Sequence, residues 1–234
     1  MKNINQFRSM RPRIHFTLHR ADIEKTGACS ASLAVFDALV QKQRRADRGL
    51  TIGWDHILRW SVQGKTRGYL WEAQNRGLIP RLSMRDERFL AYSLRHAFFS
   101  HADFNSTVFE ACTGYRSAWY ECHLDSASIL QSNFNRANFT GGSLTYVKMT
   151  NSSFDRARFG SMNMDGITAE GTVFSKATFG EVTMVDARFY NCDFREALFD
   201  TVLIDGTSFV NCRRGKNDPA IPGYTVKNGI LVEA

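Results

Sequence analysis

Large apolar residues recur with a period of five along more than 100 residues of this chain. Stepping from Phe104 to Phe209, 20 of 22 positions are large and apolar, and only Gly114 and Ala169 depart from the series. Two residues before each stands a second series, Ala102, Thr107, Cys112, Ser117, Cys122, Ala127 and onward to Val202 and Thr207, whose members are mostly small. A five-residue step turns an α-helix by about 140°, scattering the series around the axis, and in one straight strand it sends successive side chains to opposite faces. Neither element buries the series on one side. A chain that turns a corner every five residues does so, because each short extended segment then directs its small and its large residue, two apart, to one interior. Self-similarity at a fixed period marks a solenoid, whose units bury apolar surface only against their neighbours.

The individual units read "HADFN", "RANFT", "RARFG", "NCDFR" and "EALFD". They resemble the pentapeptide-repeat family. That resemblance implies a mainly β fold, a right-handed quadrilateral β-helix with four pentapeptides per coil, over residues 96–212. In a four-sided coil, residues 20 apart stack in columns, and the sequence segregates accordingly. Phe134, Phe154, Phe174 and Phe194 form one expected core column and Phe139, Phe159, Phe179 and Phe199 its neighbour, whereas the column from Phe104 carries Leu124, Leu144, Met164, Met184 and Ile204. Five to six coils at the inter-strand spacing make a rod about 25 Å long.

Residues 1–95 lack the repeat and read as a small α-helical N-terminal domain capping the solenoid. Leu33, Phe36, Leu39 and Val40 share one helix face after Ser30 or Ser32. "WDHILRWSV" and "SMRDERFLAYSLRHAFF" read as further helices, the second opened by Ser83 with Asp86 three residues on, and this last helix is expected to cover the first coil. Residues 213–234 form a C-terminal tail, in which "YTVKNGILV" predicts a hairpin around Asn228-Gly229.

Charge sharpens this division. Residues 1–101 hold 18 Lys and Arg against 8 Asp and Glu, a net +10; residues 102–211 hold 8 against 13, a net −5; the remainder is +2. The basic head, with Trp54, Trp60 and Trp71 near "QKQRRADR", invites a nucleic-acid reading, but the Trp fall in amphipathic patterns that place them in a core. Direct nucleic-acid binding is not expected. Neither a secretory leader nor a run of ~18 apolar residues is visible. Five Cys without CxxC spacing fit a reducing compartment.

Little catalytic chemistry is visible. "QGKT" at 63–66 ends like a phosphate-binding loop, but Arg59 stands where its first Gly belongs. His15 and His19 have the spacing of metal ligands on a helix face without an evident third ligand, so no metal or cofactor is expected. Cys192 and Cys212 share a column in adjacent coils, where a disulfide fits, yet thiols as small core filler are the favoured reading. Asp125, Asp165 and Asp205 share an outward column at alternate coils, about 10 Å apart, and read as turn residues. The exception is a basic ridge, Arg116, Arg136, Arg156 and Lys176, at intervals of 20 and ended by Glu196. Stacked like charges repel, so this column is the candidate partner-binding surface.

These features point to a non-enzymatic protein-interaction scaffold that binds a protein partner through the solenoid faces, in the bacterial cytoplasm. The family resemblance also implies two alternatives. One is a DNA-mimicking protein that binds gyrase or topoisomerase and confers inhibitor resistance, which requires a strongly acidic rod. The other is an effector secreted without a Sec signal into host cells. A homodimer through a solenoid end is a further expectation.

Overall fold

The computed structural model describes residues 16–25, 30–42, 50–52, 61, 74 and 81–234. The chain divides into two compact units, Met1–Leu82 and Ser83–Ala234. In the first, β1 (Phe16–Leu18) pairs antiparallel with β2 (Leu50–Ile52), and two helices lie between them in sequence, α1 (Arg20–Glu24) and α2 (Ser30–Lys42). The apolar face read from the sequence is seen in α2, where Phe36 and Val40 are buried. Arg20 ties the helices together, pairing with Glu24 at 2.8 Å and with Asp37. A strand, not a helix, follows His15. His15, the segment "WDHILRWSV" apart from Ser61, and the "QGKT" stretch lie outside the described residues.

The second unit is a four-sided parallel β-solenoid. One face is a seven-stranded sheet of β3 (Arg88–Leu90), β5 (Val108–Glu110), β7 (Ser128–Leu130), β9 (Lys148–Thr150), β11 (Thr168–Glu170), β13 (Arg188–Tyr190) and β15 (Ser208–Val210). Another is a six-stranded sheet of β4 (Phe98–Ser100), β6 (Ala118–Tyr120), β8 (Asn138–Thr140), β10 (Arg158–Asn163), β12 (Thr178–Thr183) and β14 (Leu198–Leu203). Single parallel bridges, such as Asn133 to Ser153 and His123 to Ser143, join the coils on the remaining two sides. Every pairing holds a register of 20, as in Phe139 with Phe159 and Phe159 with Phe179.

The corners explain the period. Two residues after each large core residue the backbone turns left-handed, as at Arg136 (φ 57°), Asn151 (φ 48°) and Glu181 (φ 55°). At alternate corners a turn closes from the core carbonyl to the amide three residues on, for example Phe134 O to Ala137 N at 3.0 Å. A left-handed non-glycine residue costs of order 1 kcal/mol. Coil-to-coil hydrogen bonds offset it: the amides of Arg136, Asn151 and Arg156 each donate to a carbonyl 19 residues ahead at 2.8–2.9 Å.

Inside, the phenylalanines stack as the columns require. Phe134, Phe154, Phe174 and Phe194 are at most 1% exposed, with successive ring centroids 5.7, 5.5 and 5.0 Å apart and planes within 12°. The neighbouring column, Phe139, Phe159, Phe179 and Phe199, stacks at 5.3, 5.1 and 4.9 Å, with Phe199 half-buried at its end. Phe rings across the corner meet at about 50°, as between Phe154 and Phe159. Gly114 interrupts the first column because an added Cβ would sit 2.3 Å from the Phe134 ring. The room goes to Trp119, whose indole N–H donates to Ser117 Oγ at 2.8 Å.

The small-residue columns carry their own chemistry. Ser132, Ser152 and Thr172 each donate a hydroxyl to the carbonyl two residues earlier and to one 23 residues earlier, satisfying buried polar atoms across coils. Cys112, Cys192 and Cys212 do the same with their thiols, at 3.2–3.5 Å. The four described cysteines are free and buried. Asp125 and Asp165 accept the amides of Thr145 and Val185, 20 residues on, at 3.0 and 2.8 Å. They bind one coil to the next.

Two expectations need correction. The helix predicted over 83–99, and with it a boundary at 95, is absent: these residues are the first coil, with Met84, Phe89, Leu94 and Phe99 buried in register with Phe104. Apolar side chains at alternating two- and three-residue intervals imitate a helical stripe, and Glu87 and Tyr92 at the small-residue positions hide the repeat. The segment expected to cover the rod is part of it. At the other end, the exit after Cys212 is more than a turn. Arg214 takes the next large core position, is 2% exposed, and donates to Phe194 O at 2.8 Å, Ala197 O at 2.9 Å and Pro219 O. Asp218 accepts the Glu196 amide at 2.8 Å, standing in for the carbonyl of a coil that is not there. The predicted hairpin follows as β16 (Tyr224–Lys227) and β17 (Ile230–Glu233), turning at Asn228 and Gly229 with φ of 52° and 77°.

Replacing Phe154 with Ala leaves a cavity between two stacked rings, and the midpoint of urea unfolding is expected to fall by the equivalent of ~3–5 kcal/mol. Burial pushes the Cys122 thiol up to about 12 from its ordinary value of 9.0. Because the unfolded chain releases this proton first, the Cys122 contribution is full below pH 9 and is lost as pH rises towards 12. Stability measured across that window should fall less steeply in Cys122→Ala; an identical slope would contradict the assignment.

Candidate functional site

The ridge residues occupy the third position of successive corner turns, two residues after Gly114, Phe134, Phe154 and Phe174. Arg116, Arg136, Arg156 and Lys176 have φ of 55°, 57°, 56° and 57° and all are exposed. Their amides donate to Asn135, Asp155, Ser175 and Arg195 carbonyls at 2.8–3.1 Å, so the backbone beneath the column is locked at each rung. One rung is about 4.8 Å, and the four cations therefore span roughly 14 Å.

Local partners only partly neutralise the column. Arg156 Nε lies 3.6 Å from Asp155, and Lys176 Nζ lies 3.3 Å from Glu196. Arg116 rests over the Tyr115 ring at 5.3 Å, with Arg95 over the same ring at 5.1 Å. Arg136 has no carboxylate within ion-pair distance among the described residues. Stacked like charges about 5 Å apart repel by under about 1 kcal/mol per pair in water, which the fold tolerates without gaining from it. The series ends beside a fork in which Arg195 Nε holds Asp193 at 2.9 Å. Burial works to raise the Asp193 carboxyl, but Arg195 prevails and holds it below the ordinary range.

The structure adds neighbours that stacked charge alone does not reveal. Arg158 stands on β10, two residues after Arg156, on the outward side of the six-stranded sheet. Beyond it, Gly160 and Gly180 occupy successive rungs of one outward column between Thr140 and Asp200. Neither has the left-handed φ that demands glycine. A Cβ would meet nothing within 4 Å at Gly180, and at Gly160 only Arg158 Nε at 3.8 Å and Thr140 Oγ1 at 4.0 Å. Glycine within a strand costs ~0.5–1 kcal/mol relative to alanine, so both positions bear a cost that the fold does not require. Glycine at an outward strand position, repeated at 20, was the available sequence signal. The far edge of this face is acidic, with Glu121 and Glu181, the latter accepting from Ser161 Oγ at 2.8 Å.

Among the described residues no group of three His, Cys, Asp or Glu is placed to hold a metal ion, and no helix is long and apolar enough to cross a membrane. The site defined by the geometry is a flat sheet face with a cationic edge on a rigid β-solenoid.

Residues 138–217, about a third of the chain, match the family model described as the SV2A/B/C luminal domain. No curated protein matches the chain. Among solved structures it is similar to a trypsin-treated form of QnrB1, a plasmid-mediated fluoroquinolone resistance protein, with 15% identity and a TM-score of 0.37 over 58% of this chain and 71% of that one. It is also similar to HetL, a pentapeptide repeat protein involved in heterocyst differentiation regulation from the cyanobacterium Nostoc, with 10% identity and a TM-score of 0.26 over 63% and 96% of the two chains. A pentapeptide repeat protein from the thylakoid lumen of Arabidopsis thaliana shows 13% identity and a TM-score of 0.22 over 59% and 71%. Likeness at this level transfers no activity or partner.

If the ridge cations serve recognition and not the fold, Arg136→Gly should be neutral or should stabilise the protein by about 1 kcal/mol, because glycine relieves the left-handed backbone. Thermal and urea unfolding check this. A loss above about 1 kcal/mol, more than the backbone term itself, would make Arg136 structural.

Proposed function

We propose that this protein is a non-enzymatic interaction scaffold whose solenoid presents Arg116, Arg136, Arg156 and Lys176 to an acidic surface of a protein partner. The observation that carries the reading is a column of four exposed cations on a locked backbone, with Arg136 lacking any carboxylate partner among the described residues. Rigid spacing matters here, because a partner's carboxylates then meet charges rooted on a prearranged backbone, so that the side chains and not the chain beneath them remain to be fixed on binding. The free, buried thiols accord with work in a reducing compartment such as the cytoplasm. A DNA-mimicking role at gyrase calls for continuous negative charge along the rod, and the cationic column interrupts it.

Affinity capture from native lysate, with mass spectrometric identification, tests the reading when wild type is compared with the double variant Arg136→Glu, Arg156→Glu. Partners with acidic surfaces should be captured by the wild type, released by raised salt, and at least tenfold depleted by the double variant, whose circular dichroism stays unchanged. Equal recovery on both baits would reject the ridge as the binding surface.

A further inference from the structure

Cys192 and Cys212 differ from the other described cysteines in facing each other. They stand 20 residues apart in one small-residue column, between the pairing of Tyr190 with Val210 and the bridge of Asp193 with Arg213, so a single rung separates them. The residues 20 away from Cys112 are Tyr92 and Ser132, and those 20 away from Cys122 are Ala102 and Gly142. Among the described residues this is the one place where two thiols stack. The column itself does not need sulfur. Ser132 and Ser152 fill the same position and donate to their two carbonyls at 2.8–3.2 Å, whereas the thiols of Cys192 and Cys212, weaker donors, reach theirs at 3.4–3.5 Å.

We infer that Cys192 and Cys212 form a reversible disulfide across the last two coils, closed by exchange with a small disulfide of the glutathione class, and that this bond clamps the C-terminal hairpin to the rod. The site lies in the interior and is independent of the ridge. One rung is about 4.8 Å, inside the range of about 4.4–6.8 Å between the Cα atoms of bridged cysteines. Side chains leaving parallel strands side by side do not converge, so the bond closes under strain, and a strained disulfide is readily reduced again. Hydrogen bonding between the two thiols raises Cys192 and lowers Cys212, the latter against the effect of burial, which makes Cys212 the attacking thiolate. Its sulfur attacks the glutathione disulfide, releases one glutathione thiolate and forms a mixed disulfide; the Cys192 thiolate then attacks the Cys212 sulfur and expels the second. The two cysteine protons pass to the two glutathiones, so the protein dithiol is oxidised and one glutathione disulfide is reduced. The way in is the end of the rod. Cys212 O accepts the Leu231 amide at 2.9 Å, so the hairpin of β16 and β17 docks on this residue, and terminal elements open most readily.

The test equilibrates the full chain with glutathione disulfide under native conditions, then alkylates it and digests it with trypsin. Residues 189–195 and 196–213 carry one cysteine each and should be recovered as one linked species, lost again on treatment with dithiothreitol. In the linked protein the Leu231 amide should exchange with deuterium at least tenfold more slowly than in the reduced one. Cys192→Ser with Cys212→Ser, which the column accepts at Ser132 and Ser152, should fold as wild type and show no response to the oxidant. Failure to recover the linked species in excess oxidant, linkage only after unfolding in urea, or linkage that leaves Leu231 exchange unchanged overturns the clamp. A double-serine variant whose exchange slows in oxidant as the wild type's does would assign the response to another cysteine and reject the pair.

Discussion

The structure depends on one requirement, that backbone amides in a coil meet carbonyls of the coils stacked on either side. Hydrogen bonds such as Phe134 N to Ser153 O at 2.7 Å and Arg136 N to Asp155 O at 2.9 Å run along the rod, and they persist only if every coil contains the same number of residues. An insertion of one residue would shift all later Phe out of the interior and break the ladder at once. This accounts for the unbroken period from Met84 to Arg214. It also accounts for the ends, where Arg214 and Asp218 supply with side chains what a missing coil would supply with backbone.

The requirement has a consequence outside the core. Since position n always lies beneath position n+20, any residue type repeated at that interval becomes a ladder on the surface. The protein uses ladders for two different ends. Asn135, Asp125 and Asp165 reach the amides of the next coil and hold the stack together. Arg116 to Lys176 bond nothing in the next coil with their cationic groups until Lys176 meets Glu196. Short acceptors at one corner position reinforce the fold, while long cations at the neighbouring position project from it.

The surface inherits the rigidity of the core. The ridge cations stand on a frame whose interior is stacked aromatic rings and whose turns are pinned rung by rung. Their spacing is a property of the strand ladder and not of loop conformation.

The five-residue period determined the solenoid and its inward series, because a covalent repeat without insertions must turn regularly to bury it; the four sides came from the family resemblance, which the segregation of Phe at intervals of 20 supports. The stacking of charges at Arg116, Arg136, Arg156 and Lys176 followed from the same arithmetic. Tertiary structure decided what the period does not encode. The first coil escaped notice because Glu87 and Tyr92 break the small-residue rule, and only the register with Asp103 to Glu110 places them. Arg214 reads as one more charge in a basic turn, since its role depends on carbonyls of Phe194 and Ala197 that no coil remains to bond. Gly180 resembles an ordinary flexible residue until the space above it is seen to be empty. Local sequence determines where a chain turns; what an end lacks, or a face leaves open, depends on neighbours 20 residues away.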